Sequence, residues 1–489
     1  MLFNSFSFLV FFPTVVVIYF SVPKRFRINF LLLASCYFYM AFVPKYILIL
    51  FFLITVDFFA AKEIAKREGE ERKKFLWLSI SINLGILFFF KYFNFFNANI
   101  AELVSFFHWN YSPTLLKIAL PLGLSFHVFQ SLSYVIEVYR RKYPAEKNFL
   151  TYALYVMFFP QLVAGPIERP QNLLPQFANP QEWDEKSARH GLERMLWGFF
   201  KKLVIADQIA LIVDRLFENL PADGPSLILI AVLFSYQLYC DFSGYSDIAI
   251  GSAQVLGFRL TENFIRPFAS RSIAEFWRRW HISLGNWLRD YLYYPLALSF
   301  GKSSKLKLHF CLFITLVLIG LWHGANWTFV IMGALHGTYL IFGSITEKYR
   351  QKFSEHIGLS KFPKIKHFFQ TIIVFLLVSF SFIFFRAENV GQAMSFVSHL
   401  GSGFENIFNI NYLHYKLFRG LRLGTFWPIV IFLAILFMET IQYFQEKKNT
   451  LYIFEEKPKI IWYGWQYLLI FVIVFLGYFG EQAFIYFQF

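Results

Sequence analysis

FCLFITLVLIGLWHGANWTFVIMGALHGTYLIF, residues 310–342, is apolar enough to enter a lipid bilayer, yet its middle carries His323, Asn326 and Trp327. In hydrocarbon a polar side chain is costly unless it is paired or faces water, so an imidazole placed there is a candidate for function. A helix begun at the basic Lys305 and Lys307 and rising about 1.5 Å per residue carries His323 past the centre of a ~30 Å hydrocarbon core. On an unbroken helix Asn326 and Trp327 share the face of His323 and could orient its ring. His336 turns roughly 220° away at about 100° per residue, so the two histidines reach one cavity only if the helix breaks. His336 is therefore read as a packing residue. The plain alternative for His323 is a buried imidazole satisfied by a neighbouring carbonyl.

The rest of the chain has the same character. Of 489 residues 57% are hydrophobic, 67 are Phe and only 16% are charged, which excludes an ordinary soluble domain. Apolar stretches run at Leu2–Val22, Phe30–Ala61 (punctuated at Pro44), Phe75–Phe90, Leu115–Tyr139, Tyr152–Ala164, Gly191–Val213, Ser226–Cys240, Phe310–Phe342, Phe368–Phe385, Phe426–Tyr443 and Ile460–Gly480. They predict an all-α polytopic membrane protein with about 11–12 membrane segments, some short enough to be re-entrant. Leu2–Val22 lacks a positive leader and a small-residue cleavage site, so it is expected to stay as the first span. No repeat or long linker divides the chain, which reads as a single membrane domain over 1–489.

The net charge of +15 sits in the connections. Lys24, Arg25 and Arg27, then Lys62 to Lys74, then Arg140 to Lys147 are separated by pairs of spans, so positive loops place all three in the cytoplasm and the N-terminus outside. The 345–367 connection, rich in Lys and Arg, is assigned to the same side. The partner implied is the lipid bilayer; with no soluble basic domain to carry the charge, nucleic acid is not expected. Cys36, Cys240 and Cys311 lack metal-ligand spacing and are read as packing residues, with neither a metal nor a disulfide framework implied.

The most unusual polar stretch is RLTENFIRPFASRSIAEFWRRWHISLGNWLRDYLYYPL, residues 259–296, which mixes six arginines with tryptophans and tyrosines. That is the composition of an interfacial helix, and an amphipathic anchor is its plain reading. Trp277 and Arg278 precede His281 by four and three residues, which on a helix makes a polar and aromatic pocket wall. Arg278, Arg279 and their neighbours could also hold an anionic ligand such as a pyrophosphate or carboxylate in bidentate fashion. In DFSGYSD, residues 241–247, Asp241 and Asp247 are turned about 240° apart and form no dyad. They are read as part of a polar wall, ion-paired to arginines of 259–289.

Several long motifs in order carry a resemblance. YCDFSGYSDIAIGSAQVLGF at 239–258, ENFIRPFASRSIAEFWRRWHISLGNWLRDYLYYPL at 262–296 and GLWHGANWTFVIMGALHG at 320–337 are joined by LPLGLSFHVFQSLSYVIEVYRR at 120–141, FFPQLVAGPIERPQNLLPQF at 158–177, FFRAENVGQA at 384–393 and AFIYFQF at 483–489. Together they resemble the membrane-bound O-acyltransferase (MBOAT) family, in its bacterial alginate O-acetyltransferase-like branch. His127 departs from the aromatic residue usual there. The resemblance implies the MBOAT fold around a central tunnel, with a catalytic core over roughly 120–342, in the bacterial cytoplasmic (inner) membrane. It implies transfer of an acetyl group from a cytoplasmic thioester, acetyl-CoA as donor substrate with no bound cofactor, toward hydroxyls of an extracytoplasmic polysaccharide such as alginate, another exopolysaccharide or peptidoglycan. A separate SGNH-type acetyltransferase is the implied partner. The family's functional pair falls on His281 and His323. His323 is expected to be the general base, and His281 to hydrogen-bond the thioester carbonyl or steady the acceptor. D-alanyl transfer from a carrier protein to teichoic acid is the alternative within the family, and a non-enzymatic transporter the alternative of another class. No histidine is followed by aspartate at the spacing H-x4-D, and no G-x-S-x-G elbow, Walker loop or H-E-x-x-H motif is present, so other catalytic plans lack support.

Overall fold

The computed structural model describes residues 1–109, 111, 115–116, 120–163, 165–179, 181–220, 223–300, 304–406, 426–480 and 482–487. Ala164 and residues 488–489, which belong to two of the motifs above, and part of the expected segment Leu115–Tyr139 lie outside the described residues. The described residues are helical with no strand, because a chain in lipid must satisfy each backbone N–H and C=O internally. Among them, seven helices are long and apolar enough to cross a membrane: Glu70–Phe106, Gly224–Val255, Lys305–His323, Trp327–His356, Pro363–Arg386, Phe426–Lys448 and Lys459–Leu476. The protein is thus an all-α, multi-pass membrane protein.

Other expected segments fold as shorter pieces. Leu2–Val22 becomes Phe6–Ser21, and Phe30–Ala61 splits around Pro44 into Lys24–Met40 and Ile47–Lys66. Tyr152–Ala164 forms the helices Phe149–Met157 and Phe159–Leu162, too short to cross, whose side chains from Tyr152 to Leu162 are buried in protein. Phe310–Phe342, expected as one span, is two helices broken between His323 and Trp327.

The chain groups into two compact units. The first comprises Met1–Met195 and Ile248–Thr261. Its polar interior groups are paired: the buried Asp57 carboxylate accepts from Ser79 Oγ at 2.6 Å and Asn83 Nδ2 at 2.9 Å, and Glu168 accepts from the Thr261 N–H at 2.6 Å and from Asn172 at 2.6 Å. Two of its basic connections adjoin, since Arg141 pairs with Glu68 at 2.9 Å and Arg72 donates to Tyr139 O at 2.7 Å. That is the arrangement two loops on one membrane face require. His127 is buried edge-on to Tyr39, with ring centroids 6.0 Å apart.

The second unit comprises Leu196–Asp247 and Glu262–Phe489 and holds the candidate site. Lys305–His323 and Trp327–His356 pack as an antiparallel hairpin of helices. Their closeness rests on glycine: a Cβ at Gly320 would lie 2.1 Å from Phe329 O, and one at Gly333 would lie 2.4 Å from Leu316 O. Small residues let two backbones approach this closely where lipid gives no hydrophobic drive to association. Cys240 and Cys311 are buried, Cys36 half-buried, and all three are free thiols.

Candidate active site

His323 is the last residue of Lys305–His323, buried at 5% exposure. Gly324 follows in extended conformation, and Asn326 caps the next helix by accepting from Thr328 N–H at 3.1 Å. The Asn326 amide also donates to Glu388 O at 2.8 Å, while Trp327 is 52% exposed. The expectation that Asn326 and Trp327 orient the His323 ring through helical spacing is therefore corrected: the helix ends at His323, so that spacing has no meaning across the break. The rings that face His323 are Trp322 at 5.1 Å, Tyr486 at 5.4 Å and Phe385 at 5.5 Å between centroids.

His281 lies between two short helices, Ile273–Arg279 and Ile282–Leu288, with left-handed backbone (φ 43°, ψ 53°) and no exposed surface. Asn263 fixes it. Asn263 Oδ1 accepts from Ser283 N–H at 3.2 Å and Ser283 Oγ at 2.9 Å, so the third contact on that oxygen, His281 Nδ1 at 3.2 Å, must carry the proton. The remaining ring nitrogen, Nε2, then holds the lone pair. Burial pulls His281 down to about 3, so its imidazole is neutral.

The two histidines share one aromatic shell. His281 meets Phe242 at 4.7 Å and Trp322 at 6.1 Å between centroids, and Tyr486, which meets His323, lies 4.6 Å from Phe242. The Tyr486 hydroxyl is buried and has no hydrogen-bond partner among the described residues. Sequence reasoning did not single out Tyr486, although it stands in the terminal motif AFIYFQF.

Asp241 and Asp247 point to different partners, as their spacing requires, but those partners are lysines. Lys201 Nζ lies 2.5 Å from Asp247 and Lys202 Nζ 2.7 Å from Asp241, with Lys202 also 2.8 Å from Asp207. The assignment of arginines from 259–289 to these carboxylates is thereby corrected. Both lysines sit in a π-helical stretch, Phe200–Ala206, whose wider turn lets adjacent side chains face the same neighbouring helix. Gly244 allows the approach, since a Cβ there would lie 2.8 Å from Gly198 O. The signal was present in FFKKLVIA, residues 199–206, two cations inside an apolar run.

Four of the arginines of 259–289, Arg266, Arg271, Arg279 and Arg289, pair with other carboxylates. Arg279 pairs with Glu275 at 2.8 Å and Glu446 at 2.6 Å, and Arg266 with Glu439 at 3.2 Å and Glu446 at 3.0 Å. Arg278 is exposed and makes no ion pair among the described residues. Trp277 does not share a helical face with His281, because its helix ends at Arg279; it packs on His336 at 5.2 Å. His336 Nε2 lies 2.9 Å from Ser381 Oγ, whose own proton goes to Val378 O at 2.7 Å. Ser381 thus accepts from the imidazole and is no activated nucleophile. Among the described residues no group of His, Cys, Asp and Glu could hold a metal ion.

Comparison with known proteins adds relatives. The sequence profile of the MBOAT, membrane-bound O-acyltransferase family, matches residues 145–385, which include both histidines. The chain is 36% identical over 457 residues to the probable alginate O-acetylase AlgI of Pseudomonas aeruginosa, covering 92% of this chain and 84% of that protein. It is 39% identical over 399 residues to the Azotobacter vinelandii protein of the same name (80% and 76% covered), and 34% identical over 400 residues to the peptidoglycan O-acetyltransferase of Helicobacter pylori (74% and 72% covered).

Proposed function

The chain belongs to the membrane-bound O-acyltransferase family, in its alginate O-acetylase-like branch, and from that premise we propose that this acyltransferase passes an acetyl group from cytoplasmic acetyl-CoA toward hydroxyls of an extracytoplasmic polysaccharide of the alginate or peptidoglycan kind. The observation that supports this most is the pair of buried imidazoles in one aromatic shell, one of them at a break between two helices.

In the step proposed, a hydroxyl oxygen attacks the thioester carbonyl carbon, a C–O bond forms and the C–S bond breaks. His323 takes the hydroxyl proton and returns it to the departing thiolate, so the imidazole ends as it began. Locked as the Nδ1–H tautomer, His281 offers a lone pair at Nε2. This favours steadying the acceptor through a hydroxyl other than the reacting one, whose single proton goes to His323, over donating to the thioester carbonyl, the other role considered for it. Trp322, Phe385 and Tyr486 exclude water that would otherwise hydrolyse the thioester. The relatives' names support a polysaccharide-modification setting; delivery to the polymer through a separate SGNH-type acetyltransferase, in the bacterial inner membrane, is part of the same proposal.

The test uses purified protein in lipid nanodiscs with radiolabelled acetyl-CoA and alginate oligosaccharides or peptidoglycan fragments, with and without the partner enzyme. Release of free CoA and labelled ester are measured. His323→Ala should remain folded and lose about 10²–10⁴-fold in turnover, the typical worth of a general base. Near-normal turnover in that variant removes His323 from the mechanism. A transporter would move its cargo without releasing CoA.

A further inference from the structure

Asp241 divides its carboxylate between partners far apart in the chain. Its Oδ1 lies 2.7 Å from Lys202 Nζ, and its Oδ2 accepts the main-chain N–H of Ile485 at 2.7 Å. Lys202 is held from its other side by Asp207 at 2.8 Å, and the side chains of Lys202, Asp207 and Asp241 are 1%, 3% and 5% exposed. The residue after Ile485 is Tyr486, whose ring meets both His323 and Phe242. On the other side Phe484 stacks on Tyr245 at 4.6 Å, and Tyr245 lies beneath Lys202 Nζ at 5.3 Å.

Two carboxylates and one ammonium buried together are a poor device for stability alone, since desolvation consumes most of what their attraction returns. They are a good device for fixing geometry. Asp241 cannot leave Lys202 without stranding a charge, and while it stays its second oxygen has one direction, toward the Ile485 N–H. We propose that the buried Lys202–Asp241 pair is a positioning device for acyl transfer, which pins the C-terminal segment at Ile485 so that Tyr486 closes the aromatic shell around His323. The proposal rests on the transferase reading of that shell. Neither Lys202 nor Asp241 touches a reacting group in it; both act through the backbone of Ile485.

Two pairs of variants isolate the hydrogen bond. Asp241→Leu removes the acceptor, whereas Asp241→Asn keeps a carbonyl oxygen for it. Ile485→Pro removes the donor and leaves all three charged groups intact, whereas Ile485→Ala trims the side chain and keeps the N–H. Each protein is assayed in nanodiscs for amide hydrogen exchange of the peptide carrying Tyr486, and for kcat and KM with acetyl-CoA. Asp241→Leu and Ile485→Pro should speed exchange at least tenfold and lower kcat about 10- to 100-fold, as misplacement by an ångström does. Donor KM should stay within about twofold, a split that general unfolding would not give. Ile485→Ala should recover most of both, and Asp241→Asn only part, since its one carbonyl oxygen can serve Ile485 while its amide nitrogen then meets the Lys202 ammonium donor to donor. Because Ile485→Pro spares the charged interior, it answers even if Asp241→Leu does not fold. Equal behaviour of Ile485→Pro and Ile485→Ala, or exchange unaltered by either disabling change in an active enzyme, overturns the clamp alone. Wild-type protein that releases no CoA overturns the transferase reading and with it the catalytic half of this proposal, while the exchange data still decide whether Asp241 holds the segment.

Discussion

His281 pays for its position in backbone strain. A side chain other than glycine in the left-handed region costs roughly 1–2 kcal/mol, and here the φ of 43° is held by four bonds to Asn263: Ile282 N–H to its carbonyl, Ser283 N–H and Ser283 Oγ to its side chain, and the imidazole itself. The strain turns the ring inward, where burial keeps it neutral with its pKa near 3. The sign of the pH dependence follows. The folded pKa lies below the unfolded value of about 6.5, so the stability of the neutral state is complete above that value and is lost as pH falls toward 3. Between pH 7 and pH 5 the loss reaches about 2 kcal/mol, at roughly 1.4 kcal/mol per unit of the window below 6.5. His281→Gln, which keeps a donor for Asn263 but cannot titrate, should escape it. The melting temperatures of wild type and variant should therefore converge between pH 7 and pH 5; a constant gap would show that the imidazole is not buried neutral.

At the scale of the element, the decisive feature is the helix break at His323, and it depends on the glycines that hold the hairpin closed behind it. A Cβ at Gly320 would lie 2.1 Å from Phe329 O, whereas one at Gly343, in the same pair of helices, would meet nothing within 4 Å. Gly320→Ala should push the helices apart at an overpacking cost of about 1–3 kcal/mol and displace His323 three residues on. Both melting temperature and turnover should fall, while Gly343→Ala leaves them level or slightly raises the first. If Gly320→Ala is silent in both assays, the hairpin does not set the histidine. The break also marks how far the sequence could be read. Hydropathy sees 310–342 as one apolar run because Gly324 and Ala325 interrupt the helix without interrupting its hydrophobicity. The capping of Thr328 by Asn326 was a local signal that an unbroken helical reading masks. His323 stood out because an imidazole inside an apolar run is costly, and His281 because it follows Trp277 and Arg278 in an arginine-rich stretch on which the family's motif falls. The partners of Asp241 and Asp247 were not, because arginines close in sequence outweighed two lysines hidden in an apolar run, and no sequence rule shows that a π-helical stretch aims both lysines at one helix.

Across the whole molecule, the proposed reaction has a direction, and the direction can be measured. The connections around Lys66 and Lys142 adjoin in the structure, and Lys66 is well exposed. Their charge predicts the cytoplasmic side. Asn99 lies within the 37-residue helix Glu70–Phe106. At about 1.5 Å per residue that helix outreaches a ~30 Å core, so Asn99 still emerges on the far side from Lys66. With Cys36, Cys240 and Cys311 replaced by alanine, an impermeant thiol reagent should label cysteines placed at Lys66 and Lys142 from the cytoplasmic side, and one at Asn99 from outside. Labelling of all three from one side would overturn the topology. Sidedness of the chemistry then follows without further assumption, because acetyl-CoA is highly charged and does not cross lipid. In vesicles of known orientation, CoA should be released only when acetyl-CoA is supplied to the face that labels at Lys66, and His323→Ala vesicles should release none from either. Release at the face that labels at Asn99 would mean that the thioester enters from outside, and the flow of acetyl groups proposed for this enzyme would have to be reversed.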